Sequence, residues 1–125
     1  MQVLLDTHIF YWTLYERSKQ PYLATRLIIE AEAVYVSAAS FWEISIKVRL
    51  GKLKGDMEDM IASIGPAGFL ELPVSARHAA EAAKLPLLHT DPFDRMLVAQ
   101  AINEPLHLLT VDNKLPRYSN LVISV

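Results

Sequence analysis

Short apolar runs alternate with helical stretches along this chain. Val3-Leu4-Leu5, Val34-Tyr35-Val36 and Phe69-Leu70-Glu71-Leu72 are each too short for a helix and predict buried strands, as do residues 106–111 and 121–125. A helical pattern starts near Ile9, with Phe10, Tyr11, Trp12, Leu14 and Tyr15 on more than one face, and a second runs from Tyr22 to Ala33. Ser40-Phe41-Trp42-Glu43 has the S-x-x-E form of a capping box, which predicts a helix from Ser40 to a stop at Gly51. Residues 56–63 form a weaker helix closed by Gly65-Pro66, and Ser75 caps the stretch Ala76 to Lys84. Asp91 is an N-cap and Pro92 suits the first position of the helix that runs to Asn103. Residues 113–118 complete the pattern as a short turn or helix. Strands that alternate with helices and are apolar on both faces imply an α/β, three-layer sandwich around a mainly parallel central sheet of about five short strands. Neither a repeat nor a linker divides the chain, so residues 1–125 are expected to form a single domain.

Composition narrows the function. The chain has no cysteine, which excludes disulfides and thiolate metal sites. No apolar run approaches the roughly 20 residues of a membrane span, and Met1-Gln2-Val3-Leu4-Leu5-Asp6 lacks the basic start of a secretory leader. A cytoplasmic location without membrane contact is therefore expected. The net charge is −2. A nucleic-acid binder that works by bulk charge is basic, so any contact with phosphates here needs another neutralising agent, such as a divalent cation.

The acids supply the candidate chemistry. Asp6 and Asp112 each end an apolar strand, and Glu43 and Asp94 each stand in the first turn of a predicted helix. Right-handed crossovers carry those helix starts to the edge of the sheet where the strands end, so four carboxylates converge on one rim. Two unit charges 4 Å apart repel by about 4 kcal/mol at an effective dielectric of 20. A hard cation relieves this, and an oxygen-only donor set suits Mg²⁺ or Mn²⁺ better than zinc. The residues then read as a metal-dependent phosphodiesterase site. Plainer roles are also open. Asp91 and Asp94 can form a capping box, Glu43 can cap with Ser40 or pair with Lys47, and Thr7 and Thr110 can make strand-end hydrogen bonds rather than hold the acids. His8 and His89 lie beside Asp6 and Asp91, but neither pair has a helical zinc spacing. His78 and His107 read as ordinary helix and strand residues.

Taken together, Leu4-Leu5-Asp6-Thr7-His8, Trp42-Glu43-Ile44, Asp91-Pro92-Phe93-Asp94-Arg95 with Ala99-Gln100-Ala101, and Leu109-Thr110-Val111-Asp112 resemble a PIN domain, more narrowly a VapC-type toxin of a toxin–antitoxin pair. The resemblance covers nearly the whole chain. It implies a Mg²⁺- or Mn²⁺-dependent endoribonuclease with Asp6, Glu43, Asp94 and Asp112 as catalytic and metal-binding acids. Asp91, in the DPFDR form of the third motif, becomes a helix cap and an outer group of the metal shell, with Thr7 and Thr110 as further supporting residues. Arg95, Lys47 and Lys114 are candidate phosphate contacts. The implied partners are an RNA substrate, a cognate antitoxin and a second copy of the chain in a homodimer. Where similar proteins often carry Asn two residues after the first acid, this chain has His8.

Two other classes compete. A catalytically silent binding module on the same scaffold would not need all four acids. A phospho-receiver domain shares the size and the acidic rim, but needs an acidic neighbour for Asp6 and an acid after the third strand, where Leu72-Pro73 stands.

Overall fold

A computed structural model describes all of residues 1–125. Five strands form one sheet: β1 (Gln2–Leu5), β2 (Ala33–Ser37), β3 (Leu70–Leu72), β4 (His107–Thr110) and β5 (Val122–Ser124). Their order is β3-β2-β1-β4-β5 and every pairing is parallel. Six helices connect them: α1 (Thr7–Tyr15), α2 (Tyr22–Glu30), α3 (Ala38–Arg49), α4 (Met57–Ser63), α5 (Ala76–Lys84) and α6 (Pro92–Asn103). The three-layer arrangement read from the sequence is the one found, and no helix is long and apolar enough to cross a membrane.

The alternation of side chains along each strand divides the core in two. Val3 and Leu5 of β1 and Leu109 of β4 enter one layer with Phe10 and Ile9 of α1, Ile44 of α3 and Met60 of α4. Leu4 and Leu108 enter the opposite layer with Leu97, Val98 and Ala101 of α6 and Leu115. Val3, Leu4 and Leu5 are fully buried, which is why an apolar triplet with no polar alternation makes a central strand.

Strand order reverses between β1 and β4. The chain builds outwards through β2 and β3, then returns to pair β4 with the other side of β1. All strands being parallel, their carboxyl ends share one edge, and the crevice for a ligand lies there between β1 and β4. Asp6 follows β1 and Asp112 follows β4 at this crevice.

Three helix boundaries differ from expectation, among them that of α2, which ends at Glu30 rather than Ala33 because Ala33 already belongs to β2. Helix α1 begins at Thr7 rather than near Ile9, because Asp6 itself is the cap. Helix α3 begins at Ala38 and is capped by Ser37, whose hydroxyl accepts from the Ala39 N–H at 3.0 Å. Ser40 and Glu43 therefore form no capping box. Ser40 lies inside the helix with its hydroxyl accepting from Thr7 Oγ1 at 3.0 Å, and Glu43 sits beyond the first turn.

Candidate metal centre

Asp6 is only 4 % exposed and does two things at once. One carboxylate oxygen accepts from the Ile9 N–H at 2.9 Å and so caps α1. The other accepts from Thr110 Oγ1 at 2.7 Å. The same Thr110 oxygen accepts from the Asp112 N–H at 3.0 Å, which ties the turn after β4 to the turn after β1. Thr110 thus holds an acid, as one of its two sequence readings had it. Burial pushes the Asp6 carboxyl above its ordinary range, and these hydrogen bonds oppose that only in part.

Asp94 stands in the first turn of α6, where the Asp91 side chain accepts its N–H at 3.0 Å. That is the cap foreseen for Asp91. Across the crevice, Asp112 Oδ1 accepts from the Lys114 N–H at 2.9 Å and braces its own turn. Between the two acids lies a residue that sequence reasoning set aside. His89 Nε2 is 2.9 Å from Asp94 Oδ2 and 3.4 Å from Asp112 Oδ2. The possible ligand atoms of His89, Asp94 and Asp112 all lie within 4.8 Å of one another. Helical spacing could not reveal this, because His89 belongs to the loop before α6. Its one signal was a ring-nitrogen donor just ahead of a capping acid. The donor set is therefore not confined to oxygen.

Burial, Asp91 and Glu43 together outweigh His89 and raise the Asp94 pKa to about 6. Glu43 is 7 % exposed. Its Oε2 accepts from Lys47 Nζ at 3.0 Å, the helical pair foreseen as its plainer role. Its Oε1 is buried and has no hydrogen-bond partner. An unpartnered buried acceptor of this kind costs about 1–3 kcal/mol, and more when charged. A divalent cation fits the donors that converge, His89, Asp94 and Asp112, whereas Glu43 and Asp6, whose two oxygens are taken by Ile9 and Thr110, stand outside that group.

The remaining candidates divide. Lys114 is exposed beside a cleft of about 590 Å³ that also includes His89 and Arg117, so it stays available to a ligand. Lys47 is half-buried and shared with Glu43. Thr7 holds α3 through Ser40 and touches no acid in the cluster. Arg95 is a correction. Rather than facing a phosphate, its guanidinium turns into the protein. It donates to the carbonyl oxygens of Ala82 at 2.9 Å, Leu85 at 3.0 Å and Pro86 at 3.0 Å. It also reaches Tyr118 Oη at 3.3 Å and the His89 carbonyl at 3.4 Å. The planar fork is occupied in joining α6 to the end of α5 and to the loop that carries His89. His78 is also more than an ordinary helix residue. It completes a capping box with Ser75 and its Nε2 lies 2.6 Å from Glu104.

An all-parallel sheet with acids at its switch point defines a small α/β protein with an acidic crevice. The chain belongs to the PIN domain family, whose model matches residues 3–121. Among solved structures it is similar to VapBC2 from Rickettsia felis bound to a DNA fragment from its promoter, at 19% identity, covering 99% of this chain and 98% of that one, with a TM-score of 0.73. FitAB bound to the IR36 DNA fragment is similar at 25% identity, covering 99% and 94% of the two chains, with a TM-score of 0.70. DNA-bound VapBC from Salmonella typhimurium is similar at 14% identity, covering 99% and 98%, with a TM-score of 0.68. No curated protein sequence matches the chain.

Proposed function

We propose that this chain is a VapC-type toxin, a Mg²⁺- or Mn²⁺-dependent endoribonuclease that hydrolyses phosphodiester bonds in RNA. The observation that carries the reading is the acidic crevice at the β1/β4 switch point, with a buried Glu43 oxygen that has no partner within the protein. Asp6, Asp94 and Asp112 would hold the cation, with His89 as an adjacent nitrogen donor. The carboxylates suit Mg²⁺ or Mn²⁺, and the His89 nitrogen removes the oxygen-only ground on which zinc was disfavoured. When bound, the cation supplies Lewis-acid neutralisation of the charge on the phosphodiester.

The chain's own residues then have separable tasks. Lys47 fixes Glu43 through Oε2 and leaves Oε1 as an unpartnered acceptor that would complete the cation's oxygen donors or orient the attacking water. Thr110 keeps Asp6 at the crevice by a single short hydrogen bond. Asp91 fixes the first turn of α6 and hence Asp94. Lys114, exposed on the Asp112 side, would meet a phosphate. Partnership with a small antitoxin is part of the proposal, supported by a toxin–antitoxin complex from Klebsiella pneumoniae among its structural neighbours. So is assembly as a homodimer, which rests on the family resemblance.

Asp6→Asn tests the site cleanly, because Asn also serves as an N-cap and α1 is kept. Purified protein should cut single-stranded RNA with Mg²⁺ or Mn²⁺ and stop in EDTA. The variant should lose at least about 100-fold in rate at unchanged far-UV circular dichroism, the size of effect seen when a charge-stabilising group is removed. Undiminished cleavage by the variant would reject the assignment.

A further inference from the structure

A cavity of about 310 Å³ opens beside the acidic crevice, between α1 and the C-terminal end of α3. It adjoins the centre directly, since Thr7 follows Asp6 and Lys47 holds Glu43. Three ammonium groups line it, from Lys19, Lys47 and Lys52, against the single carboxylate of Glu16. Glu16 is engaged with Lys19 at 2.8 Å, and Lys47 with Glu43 at 3.0 Å. Lys52 is exposed and free of either pair.

The backbone puts Lys52 there. Gly51, at φ +74°, ends α3 in a left-handed turn. The Gly51 N–H donates to the Val48 carbonyl at 3.0 Å and the Lys52 N–H to the Lys47 carbonyl at 2.8 Å, the paired bonds of a Schellman motif. The chain doubles back, and Lys52 returns beside Lys47. His8 and Trp12 also line the cavity. The rings of His8 and Trp12, one turn apart on α1, have centroids 5.7 Å apart and planes inclined at 46°.

Lysines and aromatic rings lining one cavity match the two halves of a nucleotide. An unstacked base lies on aromatic faces while cations follow the backbone. We propose that this cavity is a subsite for one nucleotide of single-stranded RNA, next to the phosphodiester that is cut. Lys52, with Lys47, takes the backbone phosphate, and the base lies against His8 and Trp12. The inference rests on the ribonuclease reading and adds the substrate's path to it. An acidic protein segment would use the lysines but would have no need of the ring faces, so the nucleotide is the occupant the cavity favours.

The test measures binding of a fluorescein-labelled single-stranded RNA decamer to the Asp6→Asn protein with Mg²⁺, by anisotropy, across a salt series. Cleavage by the wild type is run alongside. Lys52→Gln should weaken binding about 3- to 10-fold at 100 mM salt and reduce the slope of log K against log salt by about 0.7, the change expected when one phosphate is no longer neutralised. His8→Ala should weaken it about 5-fold or more without altering that slope, as loss of a stacking surface does. Lys84→Gln, outside the cavity, serves as the charge control. The inference is overturned if wild type cleaves RNA while Lys52→Gln and His8→Ala bind as well as their parent, or while the Asp6→Asn parent binds none. It is overturned also if polyglutamate displaces the RNA from the parent and His8→Ala has no effect, which would mark an acidic-protein site. Absence of RNA cleavage by wild type removes the ribonuclease reading, and the subsite with it.

Discussion

Replacing Arg95 by Met tests whether that side chain acts on substrate or on the fold. Its guanidinium makes three short bonds, to the carbonyls of Ala82, Leu85 and Pro86. Hydrogen bonds from a charged donor contribute about 1.5–3 kcal/mol each. Here the acceptors lie near the surface, so water replaces part of what is removed and the three do not add. Roughly 2–4 kcal/mol of stability should disappear. For a chain of 125 residues the unfolding entropy is about 0.26 kcal/mol per degree, so the melting temperature should fall by roughly 8–15 °C. Arg95→Lys keeps the charge without the planar fork and should lose about half as much. Urea denaturation supplies the free energies, and RNA binding at several salt concentrations supplies the contrast. A residue that clamps the fold leaves the salt slope unchanged once the folded fraction is accounted for. If Arg95→Met were as stable as wild type but lost about 0.7 from the salt slope, the guanidinium would be a phosphate contact after all.

The Asp94 carboxyl, pushed from an ordinary 3.8 to about 6, gives a pH test in EDTA. A raised acid favours folding fully below about pH 4, and that contribution is lost as pH rises through 6. Urea midpoints of wild type relative to Asp94→Asn should therefore decline between pH 4 and 7, and Mg²⁺ or Mn²⁺ should restore them at the upper end. A difference that stays flat with pH would contradict a carboxyl raised by burial, with Asp91 and Glu43 adding to it. Ser75→Ala removes the side chain that caps α5 on the His78 N–H at 3.1 Å and should cost about 1 kcal/mol in denaturant melts. An effect below a few tenths would show that His78, through its own bond to the Ser75 N–H, holds the turn unaided.

Most of the fold could be read from the chain because its signals are local. The triplet Val3-Leu4-Leu5 could be little else than a strand buried on both faces, and Asp91-Pro92 marked the start of α6 to the residue. The start of α3 was misread for a physical reason. Ser37 and Ser40 are both competent caps, and the S-x-x-E pattern pointed to the second. Packing chose the first, because a helix that starts at Ala38 turns Ser40 towards Thr7 and buries Ala39, Glu43 and Ile44 on one side. Arg95 and His89 were misjudged together. Each depends on the path of the loop at residues 85–91, which no periodicity encodes. That loop offers its carbonyls to Arg95 and swings the His89 ring between two acids that lie 18 residues apart in sequence.

These two residues also show how the protein keeps an acidic crevice before any cation enters. Asp94 and Asp112 face one another with few compensating charges, and His89 stands between them within hydrogen-bonding reach of both. The His89 loop stays there because Arg95 grips its start at Leu85 and Pro86 and reaches the His89 carbonyl itself. The positive charge that looked available for substrate is thus directed at backbone dipoles behind the site, and its effect reaches the crevice through the ring it positions. The proposed division of labour follows from that. Groups behind the acids, Arg95 and Asp91 with Thr110, set geometry. Of the groups beside them, Lys47 holds Glu43, while Lys52 on one flank and Lys114 on the other stay free to meet the substrate's phosphates.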